Sequence, residues 1–232
     1  MREIIFDTET TGLDPSADRI IEIGAVELDN RFLTGRHYHV FINPDGRPVH
    51  PDALAVHGIG DDMLRDKPRF AEVVDAWLEF TAGARLIAHN ANFDVGFFNA
   101  EFDRIGFPQI EAERVVDSLA LARRRHPMGP NSLDALCQRY GVDNSRRTKH
   151  GALLDCELLA EVYIELVGGK QAALGFDIAD GDYQAEGAGV RSRACHGERP
   201  SPLAPRLSEE EAAAHARMVE LLGEDALWRK LG

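Results

Sequence analysis

The sequence predicts an α/β layer fold built on one mixed sheet, followed by a flexible linker and a short C-terminal tail. Three observations carry this. Strand-like apolar segments at 4–7, 20–28 and 37–42 stand close together, joined by turn signals at Asp14-Pro15, Asp29-Asn30 and Gly35, the pattern of an antiparallel meander. From residue 70 to residue 167 helical and strand patterns then alternate, as helices laid on a sheet require. From about residue 168 large apolar residues thin out, and Gly, Ala, Asp, Glu, Ser, Arg and Pro dominate up to Pro205.

Taken in order, the first strand is an apolar run ending in Asp7 and Glu9. Successive strand residues point to opposite faces, so these two carboxylates project together. The second strand carries Ile20, Ile21, Ile23, Ala25 and Val26, nearly continuous, as in a strand covered on both faces. A helix over 70–80 presents Val73, Val74, Trp77, Leu78 and Phe80; a strand follows at 85–89. The helix over 93–105 carries Val95, Phe97, Phe98, Phe102 and Ile105 and stops at Gly106 before Pro108. A strand at 114–116, a short helix over 118–125 and a helix over 132–140, opened by Asn131-Ser132 and closed by Gly141, come next. The last helix of this region, 152–167, would bury Leu154, Leu158, Leu159, Val162 and Leu166 and ends at Gly168-Gly169. The expected organisation is therefore one domain over 1–170, a linker over 171–206 and a tail over 207–232. The tail has a helix over 207–222, with Ser208 as cap and Glu209, Glu210 and Glu211 where the helix dipole favours acids.

Composition narrows the class. The chain has 232 residues, 44% hydrophobic and 28% charged, enough for one sizeable core. No apolar run approaches the ~18 residues of a membrane span, and residues 1–4 lead straight into a strand without a signal-peptide pattern. Cys137, Cys156 and Cys195 are scattered, odd in number and without C-x-x-C spacing, which argues for a reducing cytoplasm and against a disulfide framework or zinc site. A net charge of −13 argues against binding duplex nucleic acid through a broad basic surface, though not against gripping a single-stranded end through metal ions.

Chemistry gathers at three places. Asp7 and Glu9 repel one another unless a cation lies between them, and oxygen-only ligands suit Mg²⁺ or Mn²⁺. Asp94 closes Asn90-Ala91-Asn92-Phe93-Asp94 at a strand-to-helix junction, and reads either as a carboxylate complementing the helix dipole or as a third metal ligand. His150-Gly151-Ala152-Leu153-Leu154-Asp155 opens the long helix. Asp155 sits among apolar residues, costly for an acid unless it is paired or metal-bound. His150 ends the basic run Arg146-Arg147-Thr148-Lys149 and, taken alone, reads as a solvated loop histidine.

In this order the motifs D-x-E, N-x-x-F-D and H-x-A-x-x-D resemble the DEDDh branch of the 3′→5′ exonucleases. Residues 6–12, 20–27, 56–59, 131–137 and 149–155 are similar to the proofreading exonuclease subunits of bacterial replicative DNA polymerases. The resemblance covers about 1–170 strongly and the tail weakly. It implies an RNase H-like fold and a site where Asp7, Glu9, Asp94 and Asp155 hold two divalent cations, Mg²⁺ or Mn²⁺, while His150 takes the proton of the attacking water. Four carboxylates can hold two such ions about 3.5–4 Å apart astride one phosphate, and an imidazole with its ordinary pKa near ~6.5 suits that proton at neutral pH. The product would be a nucleoside 5′-monophosphate released from a DNA 3′ end. The resemblance also places Asp7, Glu9 and Asp155 against the substrate, with Asp52 and His57 near the terminal nucleotide, though this chain has the shorter Asp52 where such exonucleases often have Glu. Phe93 and Leu13 would wall a base or sugar, or serve only as core; Asn90 and Asn92 position Asp94 or touch substrate; Cys156 is packing.

Gln171, Leu174 and Phe176 resemble the short peptide by which replication proteins dock on the sliding clamp, a groove-binding mode for an extended segment. The tail cannot bury Leu221, Leu222, Leu227, Trp228 and Leu231 against itself, and the resemblance names the polymerase catalytic subunit as its partner. Two rival readings stand beside the proofreading nuclease: an RNA-trimming exonuclease, and a non-catalytic adaptor bridging clamp and polymerase.

Overall fold

The computed structural model of the protein describes residues 1–169 and 208–223. The two stretches belong to separate units. In the first, β1 (Arg2–Thr10), β2 (Ile20–Asp29), β3 (Phe32–Phe41), β4 (Arg85–Ala88) and β5 (Val115–Asp117) form one mixed sheet in the order β3-β2-β1-β4-β5. The first three strands are the antiparallel meander, and β4 and β5 join parallel on the other side of β1. The meander is longer than the sequence pattern suggests. Its turn is made by Asn30 and Arg31 at φ 49° and 68°, the conformation that lets a two-residue hairpin follow the strand twist. Gly35, expected in a turn, lies inside β3 at φ 83°, where pairing with β2 slips between Val26 and Leu28. The outer half of β3 is exposed on both faces, so it shows no apolar alternation to betray it.

Helices α1 (Pro51–His57) and α2 (Asp61–Leu64) were not legible in the sequence; each buries a single residue and carries no periodic stripe. The remaining helices, α3 (Phe70–Thr81), α4 (Ala91–Ile105), α5 (Ser118–Arg125), α6 (Leu133–Tyr140) and α7 (Ala152–Leu166), follow the predicted pattern within a few residues. Alternation on β1 sorts the core into two layers. Ile4 and Phe6 pack with Trp77, Phe98 and Phe102 of α3 and α4, where Trp77 stacks on Phe98 at 4.6 Å. Ile5 packs on the opposite face with Leu136, Cys156 and Leu159 of α6 and α7.

One feature of the pairing places the site. β1 pairs with β4 only through Glu3, Ile4 and Ile5, while its whole length pairs with β2. The second half of β1 therefore overhangs, and a cleft opens beside it at the carboxyl ends of β1 and β4, the usual ligand position in open α/β sheets.

In the second unit, α8 (Glu209–Leu222) starts on the expected cap: Ser208 and Glu211 bond each other's backbone reciprocally. It buries nothing, and Met218, Leu221 and Leu222 are exposed. The expected linker, with Cys195, Gln171, Leu174 and Phe176, and the closing Leu227, Trp228 and Leu231 lie outside the described residues.

Candidate active site

Each acid reaches the cleft by its own route. Asp7 and Glu9 share one face of β1, and just past Glu9 the pairing with β2 slips, ending the regular ladder at the cleft. Thr8, between them, points to the other side: its N–H and its hydroxyl both donate to Asp94 Oδ1, at 3.0 and 2.7 Å. Asp94 lies in the first turn of α4, which begins at Asn90 in the left-handed conformation with φ 69°. The Asn90 N–H donates to Asp117 Oδ1 at 3.1 Å, and that same oxygen caps α5 through Leu119 N–H at 2.9 Å.

Asp155 comes from α7, whose first residues press on β2. Gly24 makes that approach possible, because a Cβ there would overlap the backbone of Ala152 and Leu153. The helix has no side-chain cap of its own; Glu22 on β2 supplies one, accepting the Ala152 N–H at 3.2 Å and pairing with His39 Nε2 at 2.7 Å. His150 precedes the helix, and its N–H donates to Val56 O of α1 at 3.3 Å, which ties the two walls together. The cleft has a volume of about 390 Å³, and Asp7, Glu9, Asp94, His150 and Asp155 all line it.

The electrostatics are those of crowded acids. Burial, reinforced by Asp94, Glu9 and Asp155, holds Asp7 well above the usual carboxylate range. Burial and then Glu22, Asp155 and Asp94 push Glu9 up to about 8. Burial raises Asp94 to about 7 against the opposing hydrogen bonds from Thr8. Such a cluster gains from any cation that joins it. Among the described residues, ligand atoms of Glu9, His150 and Asp155 all lie within 4.8 Å of one another, and the set is oxygen-rich, so the residues fit a hard divalent cation.

Two residues that shape the site lie outside the set the sequence motifs predict. Arg147, read there as part of a solvated basic run, is buried in the cleft. Its Nε and Nη2 donate to Asp155 Oδ1 and Oδ2 at 2.6 and 2.7 Å, its Nη1 to Asp134 Oδ2 at 2.8 Å, and Nη2 stands 3.0 Å from His150 Nδ1. Nothing in the sequence separates it from Arg146, whose side chain is 76% exposed. Glu22 did carry a signal, a carboxylate inside the apolar run Ile20-Ile21-Glu22-Ile23.

His57 lines the cleft; its Nδ1 accepts the Ile59 N–H at 3.0 Å, so the ring hydrogen is on Nε2, which is buried and faces the Thr10 backbone. Burial lowers its pKa and keeps it neutral. Asp52 is apart from the cleft, its side chain 95% exposed and beside His50, while its neighbour Ala53 lines the wall. Phe93, Leu13 and Asn90 line the cleft, whereas Asn92 is exposed outside it. Cys156 packs on β2, its thiol 3.2 Å from Gly24 O. His89, in the second motif, is fixed between Ser118 Oγ at 3.0 Å and Asn131 O at 2.9 Å, and burial lowers its pKa.

Comparison with known proteins identifies the family and the fold. The family described as Exonuclease (RNase_T) matches residues 4–163. DNA polymerase III subunit epsilon of Salmonella typhimurium is 46% identical over 244 residues, covering 98% of this chain and 97% of that protein. Its counterpart from Escherichia coli is 45% identical over 238 residues, with 98% and 97% covered. Among solved structures, exonuclease X in complex with 5′ overhanging duplex DNA is 29% identical with a TM-score of 0.55, covering 71% of this chain and 90% of that one. The nuclease domain of 3′hExo, a DEDDh family member bound to rAMP, shares the fold at 17% identity, TM-score 0.63, with 72% and 91% covered.

Proposed function

Since the chain belongs to the Exonuclease family and, within it, to the epsilon subunits of DNA polymerase III, the proofreading 3′→5′ exonucleases, we propose that the cleft beside β1 is its hydrolytic site and that Asp7, Glu9, Asp94 and Asp155 hold two divalent cations there, Mg²⁺ or Mn²⁺. The observation that carries this is the convergence of acids from β1, α4 and α7 on one cleft, three of them raised in pKa by burial first and by neighbouring acids second. Bound there, the cations would supply an acid for the attacking water and charge neutralisation for the leaving 3′-oxygen.

The chain's own residues do the rest. Thr8 fixes the orientation of Asp94 through two hydrogen bonds to one oxygen. His150, at the mouth of the cleft and half exposed, takes the proton of the water. His57 turns its Nε2–H toward an oxygen of the terminal nucleotide, and Phe93 and Leu13 give its base or sugar an apolar wall. Asp52 reaches that nucleotide only if the substrate extends past Ala53. The partners in this reading are a DNA 3′ end, single-stranded or frayed, the polymerase catalytic subunit through α8 and the residues after it, and the sliding clamp through Gln171, Leu174 and Phe176. The setting is the bacterial cytoplasm; among the described residues no helix is long and apolar enough to cross a membrane.

The test is hydrolysis of single-stranded DNA, mismatched primer and RNA with Mg²⁺ or Mn²⁺. Asp7→Ala or Asp155→Ala is expected to abolish cleavage while the domain stays folded. Near-normal turnover in Asp7→Ala would sink the assignment, and preference for RNA would favour the RNA-trimming alternative.

A further inference from the structure

Arg147 is the one lysine or arginine among the described residues that line the cleft, and it is held from three sides. Its fork closes on both oxygens of Asp155, the bidentate geometry that makes arginine–carboxylate pairs strong and directional. Its side chain is 7% exposed and that of Asp155 6%, so little water screens the pair. The same guanidinium stands 3.0 Å from His150 Nδ1. A guanidinium only donates, so this contact makes Nδ1 the acceptor and leaves the ring hydrogen of neutral His150 on Nε2. In that tautomer neither nitrogen has a free lone pair: Nδ1 is spent on Arg147, and Nε2 bears the hydrogen. The two residues assigned to metal binding and proton transfer are thus both occupied by one side chain. Its third partner, Asp134 on α6, is 56% exposed and engages a different nitrogen, Nη1, at 2.8 Å. Asp134 is anchored in turn by Asn144 at 2.9 Å, so a guanidinium leaving Asp155 keeps a tether at the rim.

We propose that Arg147 is a positioning residue that competes with the divalent cation for Asp155, and that its displacement onto Asp134 frees His150 to act as the base. The inference rests on the metal and base assignments made above. A divalent cation on either oxygen of Asp155 would stand beside the guanidinium in a poorly screened place, and like charges so close do not share a carboxylate readily. One exchange of cations then both completes the metal site and releases the base, so the protein cannot activate water before the metal has arrived.

The test uses the full-length protein stripped with a chelator, titrated with Mn²⁺ by calorimetry, as wild type, R147Q, R147K and D155N. Competition by a fork predicts that R147Q and R147K both bind Mn²⁺ more tightly than wild type, by roughly 5–150-fold, the usual span of coupling between two sites, and that D155N binds more weakly. A second measurement reads the base directly. In ¹⁵N spectra of the imidazole rings at pH 8, with the His150 signals identified by their loss in H150Q, the stripped wild type should show the Nε2–H tautomer with Nδ1 hydrogen-bonded. That signature should vanish on adding Mg²⁺ and be absent from R147Q. Unchanged or weaker Mn²⁺ binding in both Arg147 variants, with D155N still impaired, would overturn the proposal and make Arg147 a fixed clamp. R147K matching wild type while R147Q tightens would overturn it in favour of a plain charge effect. D155N binding Mn²⁺ like wild type would instead remove the metal assignment on which the proposal stands.

Discussion

At the scale of single residues the site is a balance of charges with distinct measurable outcomes. His150→Ala is expected to lower single-turnover cleavage by about 10²–10⁴, the usual worth of a general base, with divalent-ion affinity changed far less than in Asp155→Ala. Stopped-flow cleavage beside calorimetry separates the two. The raised acids make a second prediction, whose sign follows from linkage. Glu9 and Asp94 hold protons up to about 8 and about 7 in the folded protein, against ordinary values of 4.5 and 3.8. Across that window the folded state binds more protons than the unfolded chain, so stability falls as pH rises and the benefit is fully present only below the unfolded values. With chelator present, Tm should therefore decline from about pH 5 to pH 8. Glu9→Gln should flatten the decline, and saturating Mg²⁺ should remove it, because bound metal replaces the protons. A Tm independent of pH over that range in stripped wild type would contradict the crowding of these acids.

At the scale of elements, the junction of α7 with β2 sets the geometry of Asp155. Gly24→Ala forces a methyl into the backbone of Ala152 and Leu153. Overpacking of this kind costs about 1–3 kcal/mol, and because the displaced element carries Asp155, metal affinity should fall along with Tm. A normal Kd for Mn²⁺ in a destabilised Gly24→Ala protein would show that α7 can shift without moving its carboxylate. The legibility of the elements has the same physical basis. β1 and β2 are buried along nearly their whole length and α4 and α7 along a face, so apolar runs, hydrophobic period and end signals reveal them, and β1, α4 and the start of α7 carry Asp7, Glu9, Asp94, His150 and Asp155. α1 and the outer half of β3 bury almost nothing and left no pattern. Gly35 reads as a turn in the sequence because a glycine in a bulge and a glycine in a turn look alike without the partner strand. Arg147 escaped for a different reason. Its burial comes from tertiary contact with Asp134, Asp155 and His150, which no local pattern encodes.

For the whole molecule, the catalytic unit and the helix α8 make separable claims. A chain ending after Pro205 should cleave free single-stranded DNA at the full rate yet fail to co-purify with the polymerase catalytic subunit. Changing Gln171, Leu174 and Phe176 to Ala should weaken capture on the sliding clamp and leave cleavage of a free oligonucleotide untouched. Loss of Tm in the truncated chain would mean instead that the tail supports the catalytic unit. Tethering of this kind raises the local concentration of the nuclease at the primer end to millimolar for short flexible linkers, less for long ones. The overhang of β1 also sets how fast its backbone exchanges with water. Along β2 the strand's amides are stitched into a ladder that opens only when the sheet does, whereas the Thr8 amide is held by a single carboxylate oxygen from α4. Its hydrogen can leave whenever the first turn of that helix lifts, without the sheet coming apart. The deuterium uptake of one nitrogen is thus a clock for how often Asp94 steps away from its station.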